Sequence, residues 1–303
     1  MSVSAICRAS RALSQKIILT ARRSISSQTI AASVRTLASQ AHDAKAHSQD
    51  PAKANYEARC DLAACYRILY NLGFSEGTCN HLSLSCPAKD GSGKVMLIIP
   101  YGLYWTEVTA SSLIGVSLKE PKNPVVVEEG CGPPDISAMC IHNGIHQTRA
   151  ESGITCVLHS HVPYATALTC IKDQKLEMTH QNSTRFYEEI CYDNGYDGVA
   201  TSLDEGFRLG KVLNDKTVMM MGNHGVLVLG RTVSEAVDHM YYLERAAQVQ
   251  VLAMSTGKDL SLIPEKLVKQ NKQYIKETFR YYADSHFNAL KRTIENETPC
   301  YRD

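Results

Sequence analysis

Apolar residues recur at three- and four-residue steps from Tyr56 to Leu72 (Leu62, Ala63, Tyr66, Leu69, Tyr70), and Gly73 follows as a stop. That spacing predicts a helix. The period then changes. Glu76 to Ser85 alternates behind a turn and predicts a strand, and Lys94 to Ile99 predicts a second one, ending at Pro100-Tyr101-Gly102. Asp90-Gly-Ser-Gly93 connects the two, Thr109 to Leu113 offers caps for a short turn, and Ile114 to Leu118 reads as another strand. Residues 121–124 and 130–134 are loops rich in Pro and Gly.

Asp135 is placed to cap a helix running to about Arg149, with Ile136, Met139, Cys140, Ile141 and Ile145 available for burial. Asn143 and Gly144 argue against that helix, because both are poor helix formers. A strand over Cys156–His161 and a helical turn over Ala165–Ile171 follow. A helix is expected over Leu203–Leu213, then strands over Thr217–Met221 and Val226–Leu229. Ser234 is the expected cap of a long helix, Glu235 to about Met254, and a charged helix lies beyond Pro264. Strands grouped in pairs, with helices before, between and after, point to an α/β fold whose sheet is covered by helices on both faces. The expected divisions are residues 1–42, a domain over 50–260, and a C-terminal helix and tail over 261–303.

Within that pattern, Cys156-Val-Leu-His159-Ser-His161-Val-Pro163 stands out. Side chains two apart on a strand leave the same face, and Pro163 ends the pairing. A His-x-His tripeptide alone fits two surface histidines as well as a chelate. His224 alters the balance: it sits in Asn223-His-Gly225 between two apolar runs, with Gly222 and Gly225 permitting a turn. Three neutral imidazoles make an open zinc site with a fourth position left for water or substrate.

Composition adds the compartment. Residues 1–42 carry six of the 32 Lys and Arg, many Ser and Ala, and none of the 31 Asp and Glu. That is the composition of a mitochondrial transit peptide, with Arg23-Ser-Ile25 and Arg35-Thr-Leu37 as cleavage contexts, and a disordered basic tail is the alternative. The remaining chain has a net charge of −5, which argues against a nucleic-acid footprint. Eleven cysteines, odd in number and never in Cys-x-x-Cys, suggest reduced thiols and not a disulfide framework. No apolar run is long enough to span a bilayer as a helix.

Taken together, Ala63-Ala-Cys-Tyr-Arg-Ile-Leu69, Gly73-Phe-Ser-Glu-Gly77, Asn80-His-Leu-Ser83, Pro100-Tyr-Gly102, His159-Ser-His161 and Asn223-His-Gly225 resemble the class II aldolase/adducin family. Glu107-Val-Thr-Ala-Ser-Ser-Leu113 is similar to adducin heads. Arg185-Phe-Tyr187, Leu203-Asp-Glu-Gly206, Tyr241-Tyr-Leu-Glu-Arg-Ala246 and Tyr301-Arg-Asp303 are similar to the short adducin-like proteins of bacteria. The resemblance implies a three-layer α/β/α domain with a central mixed, largely antiparallel sheet, assembled into homo-oligomers. It implies Zn2+ or another divalent metal on His159, His161 and His224, and a small carbonyl or hydroxy-acid ligand near Asn80, Tyr101, Gly102 and Ser137. It also implies lyase chemistry, in which a glutamate early in the helix after residue 135 moves the proton.

Here the chain departs from the family. Ala138 falls where that glutamate belongs, one of two phosphate-binding serines is missing with it, and the Gly-Asn phosphate turn reads Cys79-Asn80. Asp135, Glu128, Glu129 and a metal-bound hydroxide are the remaining candidates for a base. If position 138 lies on a helix face beside the metal, it should tolerate Ala138→Glu. His180 and Arg185, near Tyr187, are candidates for the site mouth, while the Met219–Met221 run and Tyr241–Tyr242 read as packing. Two functional classes stand open: a metal-dependent lyase-like enzyme, and a non-catalytic adducin-head-like assembly protein associated with actin. The chain's end at Asp303, with no long neck or Lys-rich tail, weighs against full adducin function.

Overall fold

The period-two pattern of β1 (His81–Pro87) divides the molecule into layers, because Leu82 and Leu84 leave one face of the sheet while His81, Ser83 and Ser85 leave the other. The computed structural model describes residues 50–303 apart from 174, 196, 197 and 199–201; the expected targeting segment, 1–42, lies outside the described residues. Around β1 an eight-stranded sheet forms in the order β4-β3-β2-β1-β5-β8-β7-β6. Its strands are β2 (Lys94–Ile98), β3 (Ile114–Ser117), β4 (Val126–Glu128), β5 (Cys156–Ser160), β6 (Ile190–Asp193), β7 (Val218–Met221) and β8 (Gly225–Gly230). Only the β6–β7 pair is parallel.

Helices α1 (Pro51–Asn71), α3 (Pro163–Thr169) and α5 (Val233–Met254) cover the Leu82 face, where Leu62, Tyr66, Leu97, Leu158, Val228 and Met240 form the main core. Helices α2 (Ile136–Thr148) and α4 (Leu203–Leu213) cover the other face. The layers are therefore α/β/α. A last helix, α6 (Glu265–Thr293), packs on α5.

Several boundaries differ from the sequence reading. The residues Glu76–Asn80 form a loop, so the first strand begins at His81. The cap of α5 is Thr232, whose side chain accepts from Glu235 N–H, and not Ser234, which is already helical and donates to Asp284. Two short edge strands, β4 and β6, were not expected; neither alternates long enough to register as a pattern. The expectation that Asn143 and Gly144 weaken α2 is answered by packing. A Cβ at Gly144 would stand 2.1 Å from the Gly206 carbonyl carbon, and one at Gly206 would stand 2.1 Å from Cys140 O, so the two glycines let α2 and α4 touch backbone to backbone. Each cysteine among the described residues is a free thiol. No helix among them is long and apolar enough to cross a membrane.

Candidate metal centre

β5 is fully buried and pairs on both sides, with His159 opposite His81 of β1 and Leu227 of β8. Pairing ends at Ser160, so His161 stands one residue past the strand and not within it. Two contacts hold that turn: Ser160 Oγ donates to the Phe74 carbonyl, and Asn80 Oδ1 accepts from His161 N–H at 3.4 Å. His224 comes from the β7–β8 connection. The left-handed residue there is Asn223 (φ 55°), and neither Gly222 nor Gly225 has a positive φ. Gly225 serves close approach instead, since a Cβ on it would stand 2.7 Å from His161 Cδ2.

These local features bring the three expected ligands together. The available nitrogens of His159, His161 and His224 lie within 4.8 Å of one another, and the ring centroids are 4.8–5.1 Å apart. Nitrogens around one zinc at ~2.1 Å would stand about 3.4 Å apart, within that limit. A second partner fixes two of the rings. His159 Nδ1 faces the Val226 carbonyl oxygen at 3.1 Å, and His161 Nδ1 is paired with the Glu76 carboxylate. This is how outer partners orient metal-binding imidazoles. His161 Nε2 is thereby left buried with no hydrogen-bond partner. Burial, with neighbouring histidines adding to it, holds His159 well below its ordinary 6.5, and burial followed by His161 lowers His224. Unprotonated rings are the form that ligates a metal.

The expected substrate contacts are distributed differently. Asn80 is buried beside the turn, with Nδ2 unpartnered. Tyr101 is exposed and Gly102 has φ 84°; their loop joins the start of α2 through the Pro100–Pro134 bridge and a Tyr101 N–H bond to Pro133 O of 2.8 Å. Ser137 donates to Asp135 Oδ1, and among the described residues no hydrogen bond joins Tyr101, Gly102 or Ser137 to His159 or His161.

Position 138 overturns one expectation. Ala138 is fully buried against Met96, Ile98, Ile114 and Val116, so a carboxylate there would enter an apolar layer and would not be readily tolerated. Two of the substitute bases are engaged elsewhere. Asp135 Oδ1 caps α2 by accepting from Ala138 N–H at 2.8 Å. Glu128 is buried in an ion pair of 2.6 Å with Arg59 and accepts from Asn55 and Lys89 N–H. Arg185 lies over the Tyr242 ring at 3.7 Å and pairs with Asp238, an arrangement that ties it to α5, and His180 precedes a short 3-10 helix.

Two residues were missed. Glu76 pairs with His161 across 85 positions, and no local pattern announces that. His81 borders His159 with ring centroids 4.9 Å apart and bonds through Nδ1 to His142 Nε2 at 2.8 Å. Its signal was present: His81, Ser83 and Ser85 at period two, and His142 and His146 one helical turn apart.

The chain as a whole is similar to known proteins. Residues 60–251 match the model of the Class II Aldolase and Adducin N-terminal domain. A protein of Caulobacter vibrioides bearing the name "Putative aldolase class 2 protein" is 31% identical over 256 residues, covering 83% of this chain and 94% of that one. Human beta-adducin is 29% identical over 266 residues, covering 83% of this chain and 35% of its own length. Among solved structures, an aldolase II superfamily protein from Pseudomonas syringae superposes with a TM-score of 0.73 at 30% identity, covering 85% of this chain and 98% of that one.

Proposed function

The chain belongs to the class II aldolase and adducin N-terminal domain family, and from that premise we propose that it is a metal-dependent, lyase-type enzyme acting on a small carbonyl or hydroxy-acid compound. One observation carries this reading: His161 Nε2, buried and unpartnered, converges with nitrogens of His159 and His224. An all-nitrogen, three-residue donor set suits Zn2+ with one position left open. When bound, such an ion supplies Lewis-acid polarisation of a substrate oxygen. The chain supplies the rest. Asn80 Nδ2, a buried amide donor without a partner among the described residues, would hold an acceptor oxygen of the substrate. Glu76 keeps the His161 ring turned inward. With an apolar layer at position 138, carboxylate proton transfer from that site is absent, and general acid–base help is worth ~10²–10⁴ in rate. Turnover on phosphosugar aldolase substrates should be correspondingly slow.

The similarity to beta-adducin supports a second reading, in which the chain is a non-catalytic assembly protein like an adducin head, associated with actin. Either role is proposed for a homo-oligomer. The targeting segment is proposed to place the protein in mitochondria; a reporter fused to residues 1–42 that stays diffuse would remove that compartment. To separate the two roles, purified protein is assayed against a panel of small aldehydes and hydroxy acids and, in parallel, co-sedimented with filamentous actin. Turnover that His224→Ala abolishes supports the enzyme. Co-sedimentation with no turnover across the panel supports assembly.

A further inference from the structure

The α2 face of the sheet is not apolar throughout. Between the cluster of Ile141, Ile145, Val157 and Leu227 and that of Met96, Ile98 and Val116 runs a polar seam. His81 Nδ1 meets His142 Nε2 at 2.8 Å, His142 Nδ1 meets Ser83 Oγ at 2.5 Å, and Ser83 Oγ meets His146 Nε2 at 2.8 Å. All four residues are buried. Burial holds His146 down to about 4 and His142 well below 6.5, so these two rings are neutral at physiological pH.

A neutral imidazole carries one ring proton and a serine carries one hydroxyl proton. Two arrangements make all three bonds without stranding the hydroxyl proton. In the first, protons point from His81 towards His146: His81 Nδ1–H, His142 Nδ1–H and Ser83 O–H all donate in that direction. His146 then carries its proton on Nδ1, and His81 Nε2 is a bare lone pair. In the second, every donor reverses; His146 Nδ1 becomes the lone pair and His81 Nε2 carries the proton.

His146 also lines a cavity of about 150 Å³, together with Ser85, Lys94, Lys119, Gln147 and Ile154, and no acidic residue is among its lining residues. With Nε2 engaged by Ser83, Nδ1 is the His146 nitrogen left for that cavity, and it has no partner among the described residues. Neither Lys94 nor Lys119 forms an ion pair among the described residues. Asp90, held low mainly by its hydrogen bonds from Ser92, feels Lys119 only secondarily. Two lysines outside any ion pair among the described residues, lining one cavity with a ring donor, make a receptor for a small oxyanion.

We propose that this cavity is a second ligand site, for a phosphate or carboxylate group held by Lys94, Lys119 and His146 Nδ1–H. Occupancy selects the first arrangement of the seam and so fixes His81 beside His159 as the tautomer with a free Nε2 lone pair. The buried chain is the two-state element that both ends bias. This does not depend on the activity proposed above, because the site and the tautomer exist whether or not there is turnover.

The experiment uses the full chain as purified, with 15N-labelled histidine, and titrates in inorganic phosphate and, separately, malonate. Two-bond 1H–15N spectra distinguish the ring tautomers. The expected result is a shift of His146 with a change of His81 to the Nδ1–H form, saturating together. The tighter of the two probes identifies the group. Lys94→Ala with Lys119→Ala, both exposed positions, should weaken binding by about tenfold or more, the loss expected for charged hydrogen bonds. Ser83→Ala should still bind the anion but lose the His81 response. Binding unchanged in the lysine variant overturns the site. Binding lost in His224→Ala and kept in the lysine variant would place the anion at the candidate metal centre, which also overturns it. A shift at His146 with His81 unmoved, in protein that retains Ser83, overturns the coupling.

Discussion

The centre of His159, His161 and His224 and the seam of His81, His142 and His146 are built from the same side chain and adjoin where His81 lies beside His159. In the seam, the bonded ring nitrogens face one another or Ser83, inside the paired length of β1 and under α2. In the centre, Val226 O and Glu76 occupy the outer nitrogens of His159 and His161, and the inner His161 Nε2 is left without a partner among the described residues. Histidine as a residue type decides neither outcome. What decides is whether the second nitrogen of each ring is engaged from behind, at a strand end and a turn that leave the front open.

The strongest test of that contrast is metal content. His159→Ala or His224→Ala should take purified protein from about one divalent ion per chain to none, whereas His142→Ala should leave it loaded, as measured by inductively coupled plasma mass spectrometry. Equal loss in all three would make the two clusters one site.

Next in size is Ala138→Glu. A carboxylate forced between Met96, Ile98 and Val116 should cost about 3–5 kcal/mol, read from chemical denaturation. A neutral result would mean that the α2 start can turn towards the histidines. His142→Ala follows, at about 2–4 kcal/mol, because it opens a cavity and strands His81 Nδ1. A change under 1 kcal/mol would show the seam to be no more than packing.

Acid sharpens the seam further. The folded values of its histidines lie below the ordinary 6.5, so between 6.5 and about 4 the unfolded chain binds protons that the folded chain refuses. Stability is fully present above 6.5 and falls as pH drops through that window. Denaturation midpoints of His142→Ala should fall less steeply than those of the parent over the same range, and identical slopes would count against burial as the cause. The smallest effect expected is that of Glu76→Ala, which frees the His161 ring without removing it. Metal affinity should drop roughly tenfold, measured by competition with a chelator.

The layered fold was legible because long amphipathic helices and alternating strands each repeat often enough to be read. So were the three histidines of the centre, since His-x-His before a proline and Asn-His-Gly between apolar runs are local patterns. Edge strands β4 and β6, of three and four residues, repeat too little to be seen. Position 138 was misjudged for another reason. Counting along the chain locates a residue on a helix, but which layer that helical face meets depends on how α2 is rolled against the sheet. Gly144 and Gly206 set that roll through a backbone contact that neither segment shows alone. Glu76 belongs to the same class, since a loop carboxylate acquires meaning only from a ring 85 residues away.

The register of β1 on β5, with His81 opposite His159 and Ser83 opposite Val157, has a consequence for how the protein is made. A slip of one residue would send His81 and Ser83 to the Leu82 face and the leucines to the other, destroying the seam. Both histidine clusters also need elements far apart in sequence, so neither can exist in an early, locally ordered chain. Metal uptake during refolding should then lag behind the return of helical circular dichroism and track the final, register-correct population. Bound metal would count correctly assembled molecules in a preparation, where a far-ultraviolet spectrum would not.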